Sequence, residues 1–159
     1  MVCGVALYTR LERSKGISIV LKAWCMENNN FFSVGACIRV PRDTIDDRTL
    51  INLSNLINNK DGLLKMALNA DCVDVDPHRL YIDFPWFHKR VSKQDVELSF
   101  LVILHLIQHA ADCYHISATC GNKKRDYCRD DCEEFLSQLG FIGDSYLETR
   151  ERICSRFPK

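Results

Sequence analysis

Apolar positions alternate with polar ones early in the chain and later recur at helical spacing. Val5, Leu7 and Leu11 give a strand-like setting ahead of the charged turn from Glu12 to Lys15. Ile17–Cys25 and Phe31–Val40 are β-branched and aromatic runs, and Asn28-Asn29-Asn30 lies between them. Asparagine tolerates left-handed backbone angles, so 17–40 is expected to be an antiparallel hairpin, closed by Pro41. Asp43 to Asp47 offers helix caps, and Leu50, Leu53, Leu56 and Ile57 then recur at helical spacing as far as Asn58-Asn59. Periodicity leaves Leu63–Leu68 open between helix and strand. Asp71–Pro77 reads as a connection.

The longest organised stretch, Leu80 to Phe141, reads strand, helix, strand, helix. Leu80–Phe84 is β-rich and is expected to stop at Pro85, which cannot donate to a ladder. Ser92 with Asp95 signals an N-cap, and Leu98, Leu101, Val102, Leu104, Ile107 and Ala111 carry a long helix from it. Tyr114–Cys120 is strand-like, 121–125 is a basic loop, and a second helix is predicted over Tyr127–Leu139. Gly140 stands where a left-handed residue closes such a helix. This order predicts a βαβ unit with parallel neighbouring strands. Tyr146–Ile153 reads as a last edge strand and Ser155–Lys159 as a loose tail. The prediction is therefore one α+β or mixed α/β domain over 1–159, with a single mixed sheet and helices packed on it. Its parts are a strand meander (1–42), a βαβα core region (43–141) and a C-terminal strand and tail (142–159).

Composition narrows the function classes. The chain of 159 residues can bury a sizeable core. Its 21 basic and 21 acidic residues balance, which removes any bulk pull toward nucleic acid or anionic membrane. The apolar run Leu98–Leu104 is far too short to span a bilayer. Arg10, Arg13 and Lys15 follow only a short mixed stretch, so no cleavable signal is read there, and an intracellular protein is expected. In that setting the nine cysteines are expected to be free, with Cys3, Cys25, Cys37 and Cys72 packed in the core.

Several clusters carry possible chemistry. Cys113, His115, Cys120, Cys128 and Cys132, with His105 and His109 upstream, form the sharpest metal candidate. His105 and His109 are four apart and share a helix face, as do Cys128 and Cys132. No C-x-x-C knuckle is present, however, and a strand from Cys113 to Cys120 would send its side chains to opposite faces, so no metal site is assigned. His105, Gln108, His109 and Asp112 form a polar stripe on an otherwise apolar helix, by itself a solvated face. Lys123, Lys124 and Arg125 read as a solvated basic loop, too short to argue for nucleic acid. The acidic residues of the last helix, Asp130, Asp131, Glu133 and Glu134, suit its dipole and would also complement a basic partner. No nucleophile signature is present. Pro85–Ser92 contains no glycine through which backbone could approach a cofactor pyrophosphate. No catalytic residue and no cofactor are assigned.

Leu-Tyr-Ile-Asp-Phe-Pro (80–85), Ser92-Lys93, Asn122-Lys123-Lys124-Arg125-Asp126 and Phe135-Leu136-Ser137-Gln138-Leu139-Gly140-Phe141 follow one another in an ordered set. In order and spacing this set resembles the ornithine decarboxylase antizymes, over roughly 46–141. The resemblance implies an acetyltransferase-like antizyme fold without catalysis. It implies a cytoplasmic and nuclear protein that binds an ornithine decarboxylase protomer as a heterodimer, in competition with the active homodimer. It further implies delivery of that enzyme to the proteasome without ubiquitin, contact with an antizyme inhibitor, and synthesis through a polyamine-stimulated ribosomal frameshift. Lys93 matches the Ser-Lys that opens the family's long helix, and Lys123, with Lys124 and Arg125, its Lys-Asn-Arg segment. The family presents acidic residues on that helix, where this chain has His105, Gln108 and His109. These seven residues are the expected partner contacts. After Leu-Gly-Phe the family runs through a proline-rich loop into an aromatic strand with an acidic end, whereas 142–159 has no such loop and ends basic. Two other readings remain: a small acyltransferase with a degenerate cofactor loop, and a zinc-dependent interaction module.

Overall fold

The computed structural model describes residues 5–9, 19–23, 26–27, 31–32, 36–119 and 126–159. Its strands are β1 (Val5–Thr9), β2 (Ile19–Ala23), β3 (Met26–Glu27), β4 (Phe31–Phe32), β5 (Ala36–Pro41), β6 (Asp76–Pro77), β7 (Tyr81–Phe87) and β8 (Val91–Ser92). The helices are α1 (Asp47–Asn59), α2 (Asp61–Leu68), α3 (Lys93–Asp112), α4 (Arg129–Gln138) and α5 (Leu147–Cys154). The protein is of the α+β class.

Two sheets replace the expected single mixed one: a five-stranded sheet in the order β1-β2-β5-β7-β6 and a three-stranded sheet in the order β3-β4-β8. Every pairing between the described strands is antiparallel. The predicted hairpin is present as β2 against β5, with the short β3–β4 pair between them. The turn at 28–30 and Cys3 and Cys25 lie outside the described residues.

One face of β5, with Ala36, Ile38 and Val40, enters the core, while Cys37, Arg39 and Pro41 lie on the other. That outer face carries a fork of hydrogen bonds from Arg39 to the Asp83 carboxylate at 2.6 and 2.7 Å, with the guanidinium 3.6 Å from the Tyr81 ring centre. Burial, reinforced by the nearby Asp83 charge, pushes the Cys37 thiol up to about 12. The inner face packs Ile38, Ile82, Phe84 and Trp86 into one core with Leu53 and Ile57 of α1, Leu64 and Leu68 of α2, and Val96, Ile103 and Leu106 of α3.

Pro85 does not end its strand. The β5–β7 register shifts between Ala36 and Ile38, which face Phe87 and Phe84, so β7 carries an extra residue at Pro85–Trp86. A bulge is where a strand accommodates proline, because the ladder is already broken there. The kink also turns Trp86 and Phe87 both into the core, with Trp86 Nε1 donating to the Asp74 carbonyl at 2.9 Å.

Local signals account for the helix ends. Asp46 caps α1 by accepting from the Thr49 N–H at 2.7 Å, a bond that lowers its carboxyl below the usual range. Ser92 caps α3 by accepting from the Asp95 N–H at 3.0 Å. α2, the stretch periodicity left open, ends on Asn69 at φ +53°, and α4 is closed by Gly140 at φ +87°. The Phe141 N–H then reaches back to the Leu136 carbonyl at 3.0 Å.

The chain beyond α3 departs most from expectation. Tyr114–Thr119 is not a strand, and no parallel βαβ pair forms among the described residues. Tyr146–Ile153 is mostly the helix α5, whose Ile153 and Cys154, followed by Phe157, are buried at helical spacing. The tail is docked: Phe157 is buried, Arg156 donates to the Ala67 carbonyl at 2.8 Å and pairs with Asp95, and the Pro158 carbonyl accepts from the Arg129 N–H at 3.1 Å.

Candidate partner-binding face

The expected contacts centre on α3. Its buried side holds Val96, Leu98, Phe100, Val102, Ile103, Leu106, Ile107 and Ala110. Its outer side runs from Lys93, Gln94 and Glu97, through half-buried Leu101, Leu104 and His105, to Gln108 and Asp112. This stripe is polar at both ends and apolar in the middle. At 1.5 Å per residue Lys93 and Gln108 stand about 22 Å apart along it, which is the scale of a protein contact rather than a small-molecule pocket.

Each expected residue has a distinct setting. Lys93 is exposed, with Nζ 3.8 Å from Glu97 one turn on. Gln108 is exposed and donates to Asp112 Oδ1 at 2.8 Å. His109 is half-buried, its Nε2 3.7 Å from Cys113 Sγ. His105, half-buried within that stripe, is engaged by another part of the chain. Its Nδ1 lies 2.8 Å from the Leu139 carbonyl, an acceptor, so that nitrogen carries a proton. The ring stacks on Phe141 at 4.0 Å and meets Tyr146 edge-on at 5.3 Å. His105 thus pins the α4–α5 corner to α3. Lys123, Lys124 and Arg125 lie outside the described residues.

Of the metal candidate's described sulfur and imidazole groups, Cys113 and His109 face each other and the rest go to separate partners. Cys128 sits at the start of α4, its thiol 3.3 Å from Asp131 Oδ2, and Cys132 lies against Cys154. His115 is exposed, and Cys120 lies outside the described residues. Among the described residues no group of three or more His, Cys, Asp or Glu converges as a metal site would require. Besides Cys113–His109, a thiol–imidazole pair forms outside this candidate, with Cys72 Sγ 3.2 Å from His88 Nε2. Burial raises that thiol, which also donates to the Pro85 carbonyl at 3.1 Å, so it is held protonated rather than as a nucleophile.

Sequence reasoning missed a pair of exposed apolar residues near Tyr146. Ile142 and Leu147 are exposed beside half-buried Tyr146. Two side-chain contacts tie this region to α3: Tyr146, just before α5, against His105, and Arg152 of α5 bonded to Gln94. The apolar pair either side of Gly143 was a readable signal, but a strand assignment hid its helical consequence.

No helix among the described residues is long and apolar enough to cross a membrane. No protein-family model, no curated protein and no solved structure matches the chain.

Proposed function

We propose that this protein is a non-enzymatic regulator that holds a protein partner on the outer face of α3, and that the partner is an ornithine decarboxylase protomer. One observation carries the reading: the α3 stripe, with half-buried Leu101 and Leu104 between polar ends, is laid out as interface cores and rims are. The partner's identity comes from the antizyme resemblance. The finer likeness to the acetyltransferase-like antizyme fold is part of the same proposal. It rests on the succession of β7, the capped α3 and the glycine-closed α4, since the strand pairing itself is antiparallel. Binding a protomer withdraws it from the homodimer by mass action, and delivery to the proteasome and action in the cytoplasm and nucleus follow from the same resemblance.

The absence of catalysis is argued from Pro85–Ser92. Trp86 and Phe87 are buried there and Val91 pairs with Phe32, so this stretch is committed to core and sheet. The test is size-exclusion chromatography of this protein with ornithine decarboxylase from the same source, with activity assayed across the peak. A heterodimer that replaces the homodimer, with activity lost in proportion, supports the proposal. Lys93→Glu combined with Gln108→Arg should weaken that complex at least about tenfold, or 1.4 kcal/mol, with Tm unchanged. A fully active homodimer at high excess of this protein overturns it.

A further inference from the structure

Cysteine environments differ sharply among the described residues. Cys37, Cys72, Cys113 and Cys128 set their sulfurs against oxygen or nitrogen: the Ile38 carbonyl, the Pro85 carbonyl, His109 and Asp131. Cys132 and Cys154 instead face each other, with Sγ to Sγ at 3.4 Å. Both are essentially without solvent exposure, at 0% and 1%. Cys132 lies inside α4, and Cys154 is the last residue of α5. The sulfurs must approach by only about 1.4 Å to reach bonding distance.

We propose that Cys132 and Cys154 form a redox-closable dithiol, oxidised by a low-molecular-weight disulfide, which staples α5 to α4. Burial raises both thiols, so neither reacts while α5 is docked. The entry step is opening of the last turn of α5, a short terminal helix of the kind that opens locally. The Cys154 thiolate then attacks one sulfur of glutathione disulfide, forming a mixed disulfide and releasing one glutathione thiolate. The Cys132 thiolate attacks the Cys154 sulfur, forming the internal disulfide and releasing the second. The two cysteine protons end on the two glutathiones, so two thiols are oxidised as one disulfide is reduced. Slow opening followed by tight closure makes this a slow switch with a stable end state.

The consequence reaches beyond the bond. α5 touches α3 through Arg152–Gln94, and the tail behind it touches α3 and α2 through Arg156–Asp95 and the Ala67 carbonyl. Closing the staple therefore fixes the whole C-terminal corner.

The experiment incubates the full-length protein with excess glutathione disulfide, blocks remaining thiols, and maps linked peptides by mass spectrometry without reduction. A Cys132–Cys154 peptide, a Tm raised by roughly 5–10 °C and reversal by dithiothreitol are expected. Cys154→Ala and Cys132→Ala should each lose both the linked peptide and the Tm rise. Should either variant fail to fold, the wild-type map decides alone. If Cys132 and Cys154 stay free while the other cysteines acquire glutathione, the proposal is overturned.

Discussion

Two non-helical segments flank α3, and they are held in different ways. β7 leads through β8 into the helix and is met by the backbone of β5 on one side and, at Ile82 and Asp83, of β6 on the other. The segment 113–119 leaves the helix and lies along α1, where side chains do the same work. Asn52 Nδ2 donates to the carbonyls of Ala110 at 3.1 Å and Cys113 at 2.9 Å, while its Oδ1 accepts from the Ile116 N–H at 2.9 Å. Asn55 donates to the Ile116 carbonyl at 2.8 Å. Asn59 donates to the Ser117 carbonyl at 2.9 Å and accepts from the Thr119 N–H and hydroxyl, both at 2.9 Å. A primary amide carries the same donor and acceptor as a peptide group. Asparagines spaced three and four apart on one helix face can therefore stand in for a neighbouring strand. Extended backbone needs its polar groups satisfied, and the source of the partners is open.

The comparison breaks most violently on the β7 side. Phe84 is fully buried and packs edge-on against Trp86 at 5.8 Å. Phe84→Ala should cost about 3–5 kcal/mol through lost burial and a residual cavity. Thermal unfolding should show Tm falling by roughly 10 °C or more. A loss below about 1 kcal/mol would mean that the sheet–helix core described here is not the cooperative unit.

Next in size comes Asn52→Ala. The residue is 1% exposed, so removing its amide leaves buried carbonyls and an N–H without partners. The expected cost is about 2–3 kcal/mol, read by chemical denaturation. Hydrogen exchange should locate it: the Ile116 amide loses protection while β7 amides keep theirs. Equal loss of protection in both segments would show that 113–119, a strap tied to α1, and the sheet open as one, and the distinction between them would collapse.

These two segments also show what the sequence could reveal. Caps and closures are short-range chemistry, so Asp46, Ser92 and Gly140 were legible as single residues, as was the amphipathic run of α3. β7 was legible as a strand but not its passage through Pro85, because the bulge depends on its register against β5. Tyr114–Thr119 has strand-like composition, and the asparagines that bind it lie about sixty residues earlier on a helix. Nothing local separates a strand from a strap. α5 was misread for a related reason: its Ile153, Cys154 and Phe157 become a helical face only once α4 and α2 are there to receive them. At the candidate face, Gln108 is exposed as the polar stripe implied, and Lys93 is exposed as well. His105 is not, because its partners Leu139, Phe141 and Tyr146 come from elements beyond the helix.

The smallest effect sharpens the comparison furthest. Asn59 makes bonds like those of Asn52 but at an exposed site, where water can replace a lost amide. Asn59→Ala should therefore cost only about 0.5–1 kcal/mol, roughly 1–4 °C in Tm. The informative readout is again hydrogen exchange along the strap. If each asparagine holds its own stretch, Thr119 loses protection while Ile116, bound to Asn52, retains it. A backbone ladder behaves otherwise, because fraying one end of a strand propagates through bonds that share a rigid partner. The amides of α1 are anchored separately, each on its own side chain, and so should fail one at a time. Loss of protection at Ile116 in Asn59→Ala would contradict that independence and make segment 113–119 a cooperative element, equivalent to β7 in mechanism.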